Sequence, residues 1–223
     1  MCQPFSCVVK SDLSVLVGQK VTTHSHSAIM RQHGLPPEIS IDQYAKVELE
    51  TNEAYPADPD KWELKLDEAR APSWWKENLP EIDDRVRQAA WAWLARIKAT
   101  TEFHLYYGDI LYLPFGSPVV TMSGGELWSY GESAPVVTMS GGELWSYGES
   151  APVVQLHGGT LWCHDQSAPV VTMTGGKLRT LGNSAPVVTM TGGKLWSRDE
   201  SAPVVTMSGG ELRTLGNSAP VVI

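Results

Sequence analysis

The sequence has few cysteines. Its 223 residues include three, Cys2, Cys7 and Cys163, whose spacing fits neither a disulfide framework nor a metal-binding motif. Disulfides persist in oxidising compartments and are rare in the cytosol. We therefore predict a cytoplasmic protein with no metal site and no cofactor.

Long apolar runs are also missing. No stretch of about 18 apolar residues occurs, as a membrane-spanning helix requires. The first residues lack a basic region followed by an apolar segment, so they do not have the pattern of a signal peptide. The sequence therefore predicts no contact with a membrane.

Positive charge is scarce as well. The chain has 17 Lys and Arg against 25 Asp and Glu, a net charge of −8. Residues 1–100 have 12 basic and 15 acidic residues (net −3), and residues 101–223 have 5 and 10 (net −5). Binding to a phosphate backbone depends on clustered Lys and Arg, so nucleic acid is not an expected partner.

What the sequence does contain is a literal repeat. The stretch PVVTMSGGELWSYGESA occurs twice in succession, at 118–134 and 135–151, and its Pro-Val-Val step returns every 17 residues without a slip. A degenerate earlier copy is visible in LYYGDILYLPFGSPVV. The aligned prolines are Pro118, Pro135, Pro152, Pro169, Pro186, Pro203 and Pro220.

Each copy has two short strand-forming runs, PVVTM and ELWSY, separated by Gly-Gly and followed by a second polar corner. Two strands and two corners in 17 residues leave no room for a helix, and a propeller blade needs about 40 residues. The pattern fits one coil of a single-stranded parallel β-solenoid, in which successive coils lie about 4.8 Å apart. The predicted fold is mostly β.

Strand alternation assigns the side chains to the core or to solvent. In the copy that starts at Pro135, Val137, Met139, Leu144 and Ser146 are predicted to point inward. The column equivalent to Leu144 is Leu in every regular copy, and the Ser146 column stays small. The outward columns vary more, as solvent positions allow.

The first hundred residues have no repeat. They predict two strands around a turn near Ser11, further strands in AKVELE and KWELKLDE, and a helix at about 80–98. We predict a small α+β domain at 1–100 and a solenoid at 101–223, made of one degenerate coil, six regular coils and a final strand. An open solenoid end needs a cap, and we expect the helix to provide it.

These features together resemble a known group of proteins. The opening MCQPFSCVV, the SHS near residue 25, DPDKWELKLDE and a Trp-rich helix before Gly-Gly repeats are similar to uncharacterised phage and bacterial proteins. That group pairs a small N-terminal domain with a Gly-rich β-solenoid. The resemblance implies this architecture and brings no assigned catalytic residues.

Two features of the N-terminal domain invite a chemical interpretation. Removal of Met1 would expose Cys2 as an N-terminal nucleophile, with its own amine as base. Such enzymes continue with Gly, whereas this chain has Gln3. His24 and His26 would share a face if they lay on a strand, with His33 nearby, but too few ligands accompany them for a metal site.

One repeat copy breaks the pattern with His157, Cys163, His164 and Asp165. The alternation places His157 on the outer face of the first strand, His164 on the outer face of the second, and Cys163 inside. Because these side chains diverge, we expect sequence drift in one copy and no metal centre.

The outward columns are the main candidates for binding. On the second strand, Trp and Arg alternate towards the end of the array, so an Arg can stack between indoles. On the first strand, Thr-x-Ser/Thr recurs in five copies, as in ice-binding solenoids, although Gln155 and His157 interrupt it. The candidate binding residues are Trp128, Trp145, Trp162, Arg179, Trp196 and Arg213.

The function best supported by the sequence is a non-enzymatic binding or assembly module. An enzyme that depends on Cys2 and an ice-binding protein are the alternatives. A protein partner, including a second copy, is expected. The final strand leaves an edge without a following coil, which predicts a homodimer through Ala219, Pro220, Val221, Val222 and Ile223.

Overall fold

A computed structural model describes residues 5–36, 42–50, 57–218 and 221–222. The chain forms two compact units, Met1–Ala99 and Thr100–Ile223. The first is a small α+β unit and the second is a parallel β-solenoid, so the predicted fold class is confirmed.

The N-terminal unit contains a four-stranded antiparallel sheet. The strands predicted from alternation are present, and they lie in the order β2-β1-β3-β4. Their inner residues, among them Val9, Val47 and Leu49, are fully buried. The strands are β1 (Phe5–Lys10), β2 (Val15–Val17), β3 (Tyr44–Glu50) and β4 (Glu63–Leu66).

Among the described residues of this unit there are two α-helices, α1 (His26–Gln32) and α2 (Leu79–Ala99), and a 3-10 turn (Pro59–Lys61). Helix α2 is the predicted one, and Trp93 on its buried stripe packs edge-on against Phe5 at 5.7 Å. Whether α2 caps the solenoid stays a prediction.

Helix α1 begins at His26 and His24 lies outside it, so the two histidines do not share the face of a strand. Ser25 is the N-cap residue, and the helix then buries Ile29 and Met30. These two side chains join Val8 and Tyr44 in one apolar cluster. Two consecutive buried residues do not fit the in-and-out alternation of a strand, and here they lie on the buried side of a helix.

The solenoid has two parallel sheets, one from each strand of the repeat. Its first sheet contains β5 (Glu102–Leu105), β7 (Val119–Met122), β9 (Val136–Met139), β11 (Val153–Leu156), β13 (Val170–Met173), β15 (Val187–Met190), β17 (Val204–Met207) and β19 (Val221–Val222). Its second sheet contains β6 (Ile110–Leu113), β8 (Glu126–Ser129), β10 (Glu143–Ser146), β12 (Thr160–Cys163), β14 (Lys177–Thr180), β16 (Lys194–Ser197) and β18 (Glu211–Thr214).

Neighbouring coils pair in register, so equivalent residues of the repeat lie side by side. Val137 pairs with Val154 on the first sheet, and Leu144 pairs with Leu161 on the second. Val137, Met139, Leu144 and Ser146 are all fully buried, which confirms the predicted inward columns.

The buried Ser146 column has a polar role that its size alone did not reveal. The hydroxyls of this column meet those of a second buried serine column at the polar corner. Ser129 Oγ lies 2.7 Å from Ser133 Oγ and 2.6 Å from Ser150 Oγ, which belongs to the next coil. The same contact recurs between Ser197 Oγ and Ser201 Oγ at 2.7 Å, whereas Ser146 Oγ donates to Ser150 O at 3.5 Å. Small side chains suit this corner because they bring the hydroxyls within bonding distance of one another or of the backbone.

Candidate functional site

The six predicted Trp and Arg residues form one column on the outer face of the second sheet. In-register pairing places each of them beside its equivalent in the next coil. Trp128 and Trp145 stack with centroids 5.3 Å apart, and Trp145 and Trp162 with centroids 4.8 Å apart. We call this column the Trp/Arg ladder.

Arg179 continues the stack where an indole is replaced. Its Cζ lies 4.4 Å from the ring centroid of Trp162 and 4.5 Å from that of Trp196, so the guanidinium is held between two indoles. A planar cation over an aromatic face is attracted by the negative face of the ring. The predicted Arg-between-indoles arrangement is therefore present at Arg179.

A second row of rings, which the sequence interpretation did not single out, runs beside the ladder. Tyr130 and Tyr147 stack at 4.8 Å, and Tyr147 and His164 also stack at 4.8 Å. The signal was present in the sequence, because these residues lie two positions after Trp128, Trp145 and Trp162 and so share their face. Burial lowers the pKa of His164, which favours the neutral ring in the stack.

This stacking limits what the ladder can recognise. A sugar or a base stacks on the face of an aromatic ring, but both faces of Trp145 are covered by its neighbours. The indole Nε1 atoms of Trp145, Trp162 and Trp196 are buried without a hydrogen-bond partner. Inner members of the ladder thus offer ring edges to solvent, whereas Arg213 is exposed.

The first sheet presents a different surface, which we call the Val/Thr face. Its valines are well exposed for apolar residues, with Val170 and Val187 each at 49%. Some hydroxyls of this face are already hydrogen-bonded within the protein, since Ser140 Oγ donates to Met122 O at 3.2 Å. Three outward rows make up the face: Val119, Val136, Val153, Val170, Val187 and Val204; Thr121, Thr138, Gln155, Thr172, Thr189 and Thr206; Ser123, Ser140, His157, Thr174, Thr191 and Ser208.

No Asp, Glu, Lys or Arg belongs to these three rows, although the chain as a whole is acidic. On the preceding strand, β5, the exposed Glu102 and His104 continue the first two rows beside Val119 and Thr121, so the uncharged area begins at β7. The interrupting His157 is held in its row, with Nδ1 2.8 Å from Thr174 Oγ1. The Val/Thr face is therefore a surface of mainly methyl and hydroxyl groups at regular spacing, interrupted by Gln155 and His157.

The divergent residues of the irregular copy are separated as expected. His157 is exposed beside the first sheet, His164 stacks on the second, and Cys163 is fully buried between them. Burial raises the pKa of the Cys163 thiol well above its usual range, which disfavours the thiolate, the reactive form.

The N-terminal histidines do not come together either. The His24 ring meets Trp93 edge-on at 5.7 Å, and His33 Nε2 lies 2.9 Å from Val17 O. His26 is buried, with Nε2 3.2 Å from Val47 O and Nδ1 3.2 Å from Asp67 Oδ2. Burial lowers the pKa of His26 despite the nearby Asp67 carboxylate.

Several expected residues lie outside the described part of the chain. Cys2 is one of them, so its proposed catalytic role stays a prediction. Ala219, Pro220 and Ile223 of the proposed dimer contact are others, and Val221 and Val222 form β19. None of the described helices has the length and apolar character needed to span a membrane.

No protein-family model, curated protein or solved structure matches this chain.

Proposed function

We propose that this protein is a non-enzymatic binding and assembly module whose solenoid docks a macromolecular partner. The observation that carries the proposal is the exposed valine row of the Val/Thr face, which lies beside two rows that contain no Asp, Glu, Lys or Arg. Contiguous exposed apolar surface is uncommon on monomeric proteins and marks interaction sites. The free, buried thiols of Cys7 and Cys163 support a reducing, cytoplasmic setting.

A second copy of the chain is the partner that fits this face best. The rows are uncharged, so two copies meet without like-charge repulsion, and their equal spacing keeps every row in register in a two-fold pair. The six strands of the face span about 29 Å by 16 Å, which gives about 900 Å² of interface in total when two copies meet. Stable specific interfaces begin near about 1,000 Å², so an interface just below this size predicts a weak, transient dimer.

The Trp/Arg ladder is the other proposed contact. Since its inner ring faces are covered, we propose that it binds through ring edges and through the exposed Arg213. Aromatic and Arg side chains are common anchors of protein interfaces. This proposal keeps Trp128, Trp145, Trp162, Arg179, Trp196 and Arg213 as candidate binding residues.

Val170→Lys tests the Val/Thr face. Size-exclusion chromatography with light scattering, across a micromolar concentration series, should give the wild-type chain a mass approaching twice 24.4 kDa at the highest concentration. The lysine places two charges in the dimer interface and should weaken association at least about tenfold, because a buried unpaired charge is strongly unfavourable.

Thr160→Lys is the matched control, because its column on the second sheet already contains Lys177 and Lys194. It should leave the mass unchanged. A wild-type chain that stays monomeric would contradict the second copy as partner. If Arg213→Ala separates the copies and Val170→Lys does not, the contact belongs to the Trp/Arg ladder.

Ice binding is the second candidate function, favoured by the regular Thr rows of the same uncharged face. Here we expect a measurable difference between the freezing and melting temperatures of a solution of the protein. Thr189→Lys, in the middle of an uninterrupted stretch of the Thr row, should abolish the difference. Equal freezing and melting temperatures for the wild-type chain would exclude this function.

A further inference from the structure

Three distant segments of the N-terminal unit bring a histidine and two carboxylates together. His26 is the first residue of α1, Glu48 lies on β3, and Asp67 directly follows β4. The Asp67 amide donates to Lys46 O at 2.9 Å, which fixes the end of β4 beside β3. One donor atom from each of His26, Glu48 and Asp67 lies within 4.8 Å of the other two.

The His26 ring is oriented as a metal ligand is. Nε2 lies 3.2 Å from the Val47 carbonyl oxygen, which can only accept, so Nε2 carries the ring proton. Metal-bound histidines usually donate their second ring N–H to such a carbonyl. Nδ1 then directs its lone pair at Asp67 Oδ2, 3.2 Å away. Two acceptors this close are stable only with a cation or a second ring proton between them.

The surroundings leave negative charge in excess. The Lys65 ammonium contacts Glu50, and Lys46 Nζ lies 3.9 Å from Glu68 Oε1. Lys65 also stands opposite Glu48 in the β3–β4 register. Glu63 Oε2 lies 3.8 Å from the Lys65 ammonium as well. With Glu48 and Asp67 included, five carboxylates face two ammonium groups, so a divalent cation is accommodated electrostatically.

We propose that His26, Glu48 and Asp67 bind one divalent first-row transition-metal ion, with zinc as the probe. Imidazole and carboxylate are ligands that zinc accepts, at about 2.0–2.2 Å. Two ligands of one ion at these lengths lie no more than about 4.2 Å apart, so the Nδ1–Oδ2 separation already fits. Glu48 approaches by a rotamer adjustment. Three protein ligands leave a coordination position for water or a small anion.

The site is independent of the function proposed for the solenoid. The two carboxylate ligands follow His26 by 22 and 41 positions in the sequence. For that reason the local spacing around His24 and His26 did not reveal the site. The signal that was available is the alternation of acidic residues in AKVELE and KWELKLDE, which contain Glu48 and Asp67.

Zinc titration of the full chain, without a histidine tag and after removal of bound metal, tests the proposal. Isothermal calorimetry should show one equivalent bound. Asp67→Asn should weaken binding at least about tenfold, because even the loss of a residue that only orients a metal ligand typically costs about 10–100-fold in affinity. Since the Asp67 side chain is 56% exposed, this variant should fold, and circular dichroism checks that it does.

Two control variants remove a histidine and a carboxylate that lie outside the proposed site. His33→Gln and Asp84→Asn should bind zinc as the wild-type chain does, because His33 bonds Val17 O and Asp84 accepts from Gln88 on the surface of α2. Cobalt gives a second readout: His26→Gln should lose the visible absorption of the cobalt-loaded chain. Absent saturable binding, or equal zinc affinity in Asp67→Asn and the wild-type chain, would overturn the site. So would a His26 ring that keeps both protons, by NMR, at saturating zinc.

Discussion

Leu178→Ala should lower the free energy of unfolding by about 2–5 kcal/mol, as expected when a buried leucine is truncated and a cavity remains. Leu178 is fully buried on β14 and pairs with Leu161 and Leu195 in the adjacent coils. Because a solenoid coil is stabilised only by its neighbours, the loss should spread along the array. Urea unfolding measures the loss, and hydrogen exchange should show reduced protection in β12 and β16 as well as in β14.

Lys177→Ala is the matched control on the same strand. Lys177 is exposed, and substitution of such a surface residue usually changes stability by no more than about 0.5 kcal/mol. An unfolding midpoint for Leu178→Ala equal to that of the control would contradict the inward assignment of the leucine column.

The architecture of the solenoid was predictable because two periodicities agree. The repeat length fixes the coil, and alternation within each short strand fixes which columns face the core. Both signals are local, and in-register pairing then places identical residues side by side. The buried positions of Val137 and Leu144 follow from these rules alone.

Other features were not predictable in the same way, because they depend on distances between residues. The alternation placed Trp145 outside but did not show that its ring faces are covered, which changes the kind of partner that it suits. The bond between Ser129 and Ser150 joins two coils through a corner. In the N-terminal unit, helix α1 and the approach of His26 to Asp67 depend on how the chain packs on its sheet.

The two corners of the repeat differ in the residues that they accept. At the Gly-Gly corner the second position is Gly in every regular copy. At the polar corner the equivalent left-handed position is Gly in some copies and Asp in others, at Asp165 with φ 56° and Asp199 with φ 58°. Both corners need a positive φ, so backbone conformation alone does not explain why only one of them tolerates a side chain.

The space around each glycine supplies the reason. A Cβ on Gly142, which has φ +84°, would lie 2.5 Å from the carbonyl oxygen of Gly125 in the preceding coil. That oxygen accepts the inter-coil hydrogen bond from Glu143 N at 3.0 Å. A Cβ on Gly148, which has φ +61°, would have its nearest neighbour at 3.9 Å. Coils therefore touch through backbone at one corner and leave room at the other.

Gly142→Asp and Gly148→Asp should consequently differ in effect although they introduce the same side chain six residues apart. For Gly148→Asp we expect a loss of no more than about 1 kcal/mol, since Asp adopts the left-handed region readily. For Gly142→Asp we expect about 3 kcal/mol or more, because the backbone must shift and the bond to Gly125 O is broken in addition to the conformational strain. Urea unfolding of the two variants beside the wild-type chain measures both. Equal losses would show that positive φ alone sets the glycine requirement, and that close contact between coils does not.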